Sequence, residues 1–290
     1  MSERPSLVYL DGELIDPAHA RVSAFDGGFQ YGVGLFETMR AYGGRIFRLD
    51  AHIERMRRSA EVLKLSFLVD VAVCRSALER LLEANGLADA RLRLTMTCGP
   101  TLLPGASEER VRPTMLATAT GVTPYPRDFY EKGMTVLVSR YRQSKADPLG
   151  GHKTTCYWPR LVALREAHEA QCGEALWFTP ENLLAEGCMS NVFVVRDGVL
   201  KTPPLDTPVL PGIVRNVIVE AAGRAGRPVE ETALTIHDLL NADEVFLTNS
   251  VMEVMPVCRV ERKGIGNEKP GPVTAWAAGA YRDAVNDESV

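Results

Sequence analysis

Short strand-like runs and amphipathic helices follow one another along this 290-residue chain without a regular βαβ order. That pattern points to an α+β fold rather than a doubly wound sheet. An Asp11-Gly12 turn signal makes residues 6–15 a hairpin. A second extended run covers 36–41, reaches Gly43-Gly44 and resumes at 45–49. Asp50 then reads as the N-cap of a helix with Ile53, Met56, Ala60 and Leu63 on one face. Asp70 caps another helix over 71–84, stopped by Asn85-Gly86. Strand-like runs at 91–97 and 113–120 complete a small domain over residues 1–120. Residues 121–130, with Pro124 and Pro126, read as the linker to a larger domain over 131–290. In that domain strands are expected at 134–141, 174–178, 191–195 and 244–248, with a turn-rich stretch between the second and third. Helices are expected at 153–170, 213–225 and 273–285, and a hairpin at Asp197-Gly198.

Composition removes several classes of function. The formal charge of −4 carries no basic footprint for nucleic acid. No apolar run reaches membrane-spanning length, and Met-Ser-Glu-Arg-Pro lacks the layout of a signal peptide. A cytoplasmic protein with neither nucleic acid nor membrane as partner is expected. The six cysteines are scattered without a C-x-x-C pair, and the five histidines have no ligand spacing. Neither a disulfide framework nor a metal site is expected.

The chemistry centres on one lysine. Only seven of the 33 basic residues are lysines, and Lys153 follows Gly150-Gly151-His152 and precedes a helix-like run of Tyr157, Leu161, Leu164 and Ala167. At a helix mouth the dipole disfavours the ammonium, which is one route to an amine nucleophilic enough for Schiff-base chemistry. A solvated lysine in a glycine-rich loop is the plain alternative. Gly32-Val33-Gly34 is no dinucleotide fingerprint, because Glu37 stands where the third glycine belongs and the segment enters a strand. Leu210-Pro211-Gly212-Ile213-Val214-Arg215 opens a helix on a Pro-Gly turn, so the amides of Ile213 and Val214 suit an anion. Thr248-Asn249-Ser250 follows a buried strand and offers further donors, and Arg55 a charge-assisted one. Each has a plain counterpart: an unliganded helix start, a strand-end turn, a solvated arginine. Glu186 sits among Leu183, Leu184, Ala185 and Gly187, either solvated in a turn or paired with a cation such as a protonated pyridine nitrogen.

In this order the pieces resemble the class IV (fold type IV) pyridoxal-phosphate enzymes: branched-chain and D-amino acid aminotransferases and 4-amino-4-deoxychorismate lyases. The resemblance covers nearly the whole chain. It rests on the run from Phe25 to Thr38, His52-Ile53-Glu54-Arg55-Met56, Lys153 with Tyr157, and Glu186-Gly187 with Ser190-Asn191-Val192-Phe193. The Leu210–Arg215 turn and Asp243-Glu244-Val245-Phe246-Leu247-Thr248-Asn249-Ser250 complete the set. It implies a small N-terminal α/β domain, a larger C-terminal domain with a barrel-like mixed sheet, and pyridoxal 5'-phosphate in the interdomain cleft. It also implies a homodimer in which a small-domain loop is borrowed from the neighbour.

Carried over by resemblance, Lys153 is the Schiff-base lysine and proton shuttle. Glu186 pairs with the ring nitrogen and Tyr157 approaches the ring hydroxyl. Arg55, the amides of Ile213 and Val214, Asn249 and Ser250 surround the phosphate. Val214 stands where threonine is common in the family, so a hydroxyl is lost there and the backbone contact kept. Within the family, Cys98-Gly99-Pro100 departs from the Arg-x-His carboxylate trap of D-amino acid aminotransferases. Arg91-Leu92-Arg93 keeps only the arginine of the branched-chain Tyr-x-Arg. Thr248-Asn249-Ser250 followed by Val251-Met252-Glu253-Val254-Met255-Pro256, and Phe36-Glu37-Thr38-Met39-Arg40, are similar to the deoxychorismate lyases, which place a threonine near the substrate. Thr38 is that candidate. Arg40, Arg91 and Arg93 are candidates for substrate carboxylates, and Tyr31 for the pocket wall. Lyase chemistry is the favoured expectation, with amino-acid transamination the alternative and a non-catalytic cofactor binder the rival from another class.

Overall fold

The computed structural model describes residues 7–100 and 112–289, so Ser6 of the expected hairpin lies outside the described residues. The chain forms two compact units. The first comprises the described residues up to Thr123 with His152–Cys156, and the second Pro124–Gly151 with Tyr157–Glu288. A cut at a single linker puts Lys153 in the second domain, whereas its contacts put it in the first.

The first unit is built on β1 (Val8–Leu10), β2 (Glu13–Ile15), α1 (Gly27–Tyr31), β3 (Gly34–Tyr42), β4 (Arg45–Ile46), α2 (Leu49–Val62), α3 (Val71–Asn85), β5 (Ala90–Thr97) and β6 (Thr114–Gly121). Its six strands run in the order β2-β1-β6-β5-β3-β4, every pair antiparallel. Side chains alternate along β3, so Leu35, Glu37, Met39 and Ala41 share one face and Phe36, Thr38 and Arg40 the other. Leu35 and Met39 join Leu92 and Leu94 of β5, Ile53 and Met56 of α2, and Leu78 and Leu81 of α3 in a closed core. Each such side chain contributes roughly 1.5–3 kcal/mol by leaving water. Asp70 caps α3 through the amides of Ala72 and Val73, and Gly86 ends it in the left-handed conformation. Asp50 is not the cap of α2. Phe47 and Leu49 are both buried, so the chain turns at Arg48 with φ 52°, and Asp50 falls in the first helical turn.

The second unit comprises α4 (Arg127–Lys132), β7 (Met134–Arg142), α5 (Trp158–Glu169), β8 (Glu174–Phe178), β9 (Leu184–Gly187), β10 (Asn191–Arg196), β11 (Val199–Thr202), α6 (Ile213–Arg224), β12 (Val229–Glu231), α7 (Ile236–Leu240), β13 (Glu244–Asn249), β14 (Glu253–Val260), β15 (Lys263–Gly264) and α8 (Pro272–Ser289). Its mixed sheet follows β12-β11-β10-β13-β14-β7-β8-β9, with β15 on β14. The pairs β11–β12, β14–β7 and β7–β8 are parallel. Strand β9 ends the path, yet the Gly187 amide donates to the Ser190 carbonyl at 2.7 Å, one residue before β10. The sheet therefore curls back toward β10 in a barrel-like turn.

Two expectations change here. The stretch between residues 178 and 191 holds β9, buried along its whole length, so Glu186 lies in a strand and not in a turn. The helix expected from 153 begins only at Trp158, with a proline in its first turn, because Thr154 bridges to Leu35 as extended backbone. Among the described residues no helix is long and apolar enough to cross a membrane, and no group of three or more His, Cys, Asp and Glu could hold a metal ion. All six cysteines are free.

Candidate active site

Lys153 is held by the first unit as an extension of its sheet. Strand β4 pairs with β3 only at Ala41 and Tyr42, which leaves the N-terminal edge of β3 open. Residues 152–156 take that edge. The Phe36 amide donates to the Lys153 carbonyl at 2.9 Å, and the Thr155 amide to the Gly34 carbonyl at 2.9 Å. The Thr155 hydroxyl donates to the Gly32 carbonyl at 2.6 Å. Gly32-Val33-Gly34 is what permits this approach. Gly32 has φ +71°, and a Cβ there would stand 2.6 Å from the Cys156 sulfur. A Cβ on Gly34 would stand 3.2 Å from the Thr155 hydroxyl oxygen. The helix-mouth argument for the amine fails, since α5 starts five residues later. What faces the Lys153 Nζ is the Phe36 ring, 4.3 Å from its centroid.

Beside this segment lies a buried charge cluster that the linear motif only half announced. His52, Arg55 and Ser59 recur at helical spacing on α2 and face inward. Arg55 grips Glu37 with two nitrogens, at 2.8 Å from Nε and 2.6 Å from Nη2. His52 Nδ1 lies 2.8 Å from the same carboxylate, and Ser59 Oγ lies 3.0 Å from Nδ1 of His152. Burial pushes the Glu37 carboxyl up, but Arg55 and His52 outweigh it and hold Glu37 at about 2. Burial pushes His52 below its ordinary value despite the Glu37 carboxylate, and the positive charges of Arg55 and Lys153 add to that. Arg55 is thus committed on one side to Glu37, a partner that sequence reasoning did not assign.

The opposite face of β3 carries the expected substrate residues. In the antiparallel register Thr38 pairs with Arg93 and Arg40 with Arg91, so all four side chains share the face of Phe36. The Arg93 guanidinium carbon stands 3.7 Å from the Phe36 centroid, over the same ring as Lys153. Arg40 stacks on Tyr42 at 4.6 Å, and Arg91 is exposed. Tyr31, at the end of α1, is 58 % exposed.

In the second unit Glu186 is the centre of a cluster of donors. Its Oε1 accepts from Arg160 Nη2 at 2.6 Å and from Gln143 Nε2 at 3.2 Å. Its Oε2 accepts from the Leu210 amide at 2.9 Å and from Asn191 Nδ2 at 3.4 Å. Asn191 also donates to the Leu210 carbonyl at 2.8 Å, and its Oδ1 lies where a Cβ on Gly212 would fall, 1.8 Å away. Gly212 is the N-cap of α6 and makes no side-chain cap bond, so the first-turn amides of Ile213 and Val214 sit where helices hold anions. Asn191 pairs in register with Thr248, whose buried hydroxyl makes no hydrogen bond. Ser250 follows in the turn after β13. Asn249 is occupied otherwise: its Oδ1 accepts from the amides of Val251 and Met252, and its Nδ2 donates to the Met189 carbonyl. The Tyr157 hydroxyl donates to the Cys188 carbonyl at 2.9 Å. Burial raises its phenol above the ordinary range, with Arg160 opposing and Glu186 adding to the rise.

Arg160, Gln143, Asn191, Leu210 and Glu37 were not among the expected site residues. Arg160 and Gln143 lie on α5 and at the end of β7, with no motif around them; His52-x-x-Arg55 did carry a signal, one shared helix face. An orphaned buried hydroxyl, an uncapped helix start and a buried carboxylate tied to that start suit a ligand with an anionic end and a cationic ring.

The amino-transferase class IV family model matches residues 34–260. The chain is 33 % identical over 276 residues to a putative branched-chain-amino-acid aminotransferase of Methanocaldococcus jannaschii, with 95 % of each chain covered. It is 31 % identical over 283 residues to the aminodeoxychorismate lyase of Bacillus subtilis, covering 97 % of this chain and 95 % of that protein. Its fold is similar, at a TM-score of 0.90 and 28 % identity, to the T.th. branched-chain amino acid aminotransferase crystallised with pyridoxamine 5'-phosphate, covering 98 % of this chain and 95 % of that one. The chain belongs to the class IV aminotransferase family of pyridoxal-phosphate-dependent aminotransferases and lyases.

Proposed function

We propose that this enzyme is an aminodeoxychorismate lyase, converting 4-amino-4-deoxychorismate to 4-aminobenzoate and pyruvate. The observation that carries the reading is Thr38 beside Arg93 on the face of β3 where Lys153 and Arg93 share the Phe36 ring. When bound, pyridoxal phosphate supplies an aldehyde for amines and a ring that withdraws electrons. Lys153 would be its attachment point and then the base that takes the proton from the substrate carbon bearing nitrogen. Thr38 donates its hydroxyl to the enolpyruvyl oxygen as that bond breaks, and Arg93 holds a carboxylate. Loss of that proton and of pyruvate leaves an aromatic ring, which drives the reaction. Glu186 would pair with the ring nitrogen, and Tyr157 would approach the ring hydroxyl. The Ile213 and Val214 amides and Ser250 would hold the phosphate, with Asn249 shaping the turn that presents Ser250, and the family resemblance assigns Arg55 to the same group.

A second reading is transamination to a 2-oxo acid. It draws on Arg40, Arg91 and Arg93 sharing one face, a cationic surface suited to a dicarboxylate acceptor. Pure protein with cofactor and 4-amino-4-deoxychorismate, and no oxo acid, is expected to yield 4-aminobenzoate and pyruvate in equal amounts. If it yields neither, while amino acid plus 2-oxoglutarate yields glutamate, the lyase reading is wrong. Borohydride reduction and peptide mapping are expected to find the pyridoxyl group on Lys153, and Lys153→Ala to lose it. The same reading makes the protein a cytoplasmic homodimer. The exposed rings of Phe25, Phe29 and Tyr31 on one seven-residue stretch support that assembly.

A further inference from the structure

Glu186 has a cation of this chain's own as its nearest partner. The carboxylate is 3 % exposed and Arg160 21 %, with 2.6 Å between them. Every neighbour of the two oxygens is a donor: Arg160 and Gln143 on Oε1, the Leu210 amide and Asn191 on Oε2. An ionised carboxylate offers about four lone-pair sites, and these four donors occupy them. Both oxygens are thus set as acceptors toward this chain's own groups.

Arg160 is itself fixed. Its Nη1 donates to the carbonyls of Gly187 and Cys188 at 3.0 and 3.3 Å, and its Nη2 also donates to Gln143 Oε1 at 3.1 Å. The Gln143 amide is oriented in turn, its nitrogen donating to the Pro208 carbonyl. Burial works against the Arg160 charge, and the Glu186 carboxylate more than restores it. The other titratable groups around the pair are Tyr157, whose ring lies 5.8 Å from the Arg160 guanidinium carbon, Cys188, and Glu174. Glu174 takes the amides of Ala175, Cys188 and Met189 and the Ser190 hydroxyl.

We propose that Arg160, braced by Gln143, is a positioning residue that holds Glu186 as a carboxylate and so leaves the proton shared with the cofactor's pyridine nitrogen on the ring. The inference rests on Glu186 facing that nitrogen. The guanidinium touches the carboxylate directly, so its field lowers the proton affinity of that group more than that of a base on the carboxylate's far side. Of the four donors, Arg160 and the Leu210 amide make the short bonds. Asn191 at 3.4 Å and Gln143 at 3.2 Å make the long ones, and one of these yields when a ring N–H arrives.

The test loads the protein with pyridoxal phosphate carrying nitrogen-15 in its ring and reads the chemical shift of that nitrogen. The wild-type signal is expected at the protonated position. Arg160→Met is expected to raise the proton affinity of the carboxylate by roughly tenfold to a thousandfold and move the signal toward neutral pyridine. Arg160→Gln keeps an amide donor without the charge, and is expected to move the signal in the same direction; it carries the test if the methionine protein does not fold. Glu186→Gln is expected to give the neutral position outright. If Glu186→Gln shifts the signal while both Arg160 variants stay at the wild-type position, the Arg160 inference is overturned and the Glu186 reading stands. If Glu186→Gln leaves the signal unmoved, the reading of Glu186 falls, and this inference with it.

Discussion

The two units each bury an arginine–carboxylate pair, and the pairs are built differently. In the first, Arg55 closes on Glu37 with two parallel bonds and His52 adds a third, all from one helix onto one strand residue. In the second, Arg160 makes one bond to Glu186, and three further donors come from β7, β10 and the turn before α6. The first is a local clamp, built from one helix face onto one strand. The second draws its partners from distant segments and stays partly accessible at its arginine, a construction suited to exchanging one bond for a ligand's.

The sharpest way to break this contrast is to open the clamp. Glu37→Gln leaves Arg55 buried without its counter-charge, and is expected to cost about 3–5 kcal/mol in urea unfolding of the cofactor-free protein. Replacing both partners with methionine is expected to cost clearly less, because no buried charge is stranded. Were the single and double variants equally destabilised, the clamp would be a packing element and not an electrostatic one.

Acid probes the same cluster without mutation. Glu37 sits at about 2 in the folded chain against 4.5 unfolded, so its contribution is fully present above pH 4.5 and is lost as pH falls toward 2. That contribution is about 3 kcal/mol. His52 is also lowered on folding, so its share is present above its ordinary 6.5 and begins to disappear as pH falls below that value. Both effects have the same sign. This cluster is expected to lower the unfolding midpoint of the cofactor-free protein as pH falls below 6.5, against an opposing contribution from the buried Glu174, whose carboxyl burial raises, and His52→Gln is expected to remove the upper part of the cluster's decline.

A smaller effect is expected at the second pair. Glu186 keeps three donors in Arg160→Met, so the cofactor-free protein is expected to lose roughly 1–3 kcal/mol, less than Glu37→Gln. Equal losses would erase the distinction between a clamp and an exchangeable site. The smallest is a control outside both clusters: Asp70→Ala removes the cap of α3 and is expected to cost about 1 kcal/mol.

What could be read from residue order divides along the same line. Asp70 and Gly86 act through neighbours in the chain, so cap and stop were visible beforehand. Glu186, Lys153, Arg55 and the Pro211-Gly212 turn were recognisable because a resemblance supplied their order. Arg160 was invisible, since nothing near it in the chain marks it as the partner of a residue 26 positions away. Asp50 misled because a capping side chain at the right spacing loses to the burial of Phe47 and Leu49, which moves the helix start to Arg48. The start of α5 was misjudged for a similar reason: the open edge of β3 offers residues 152–156 backbone partners that a helix would forgo.

Lys153 joins both kinds of knowledge. The proposal that it is the reactive amine needed only its motif and the company of the other motifs, because a family's chemistry is carried by residue type and order. Its environment needed the folded chain. Glycines at 32 and 34 let one strand edge accept a segment from over a hundred residues away, and this brings the amine onto a phenylalanine ring and not onto a helix end. Local propensity acts over a few residues and leaves its mark in the sequence. Electrostatic environment sums over whatever the fold assembles, and only the assembled fold states which neighbours those are.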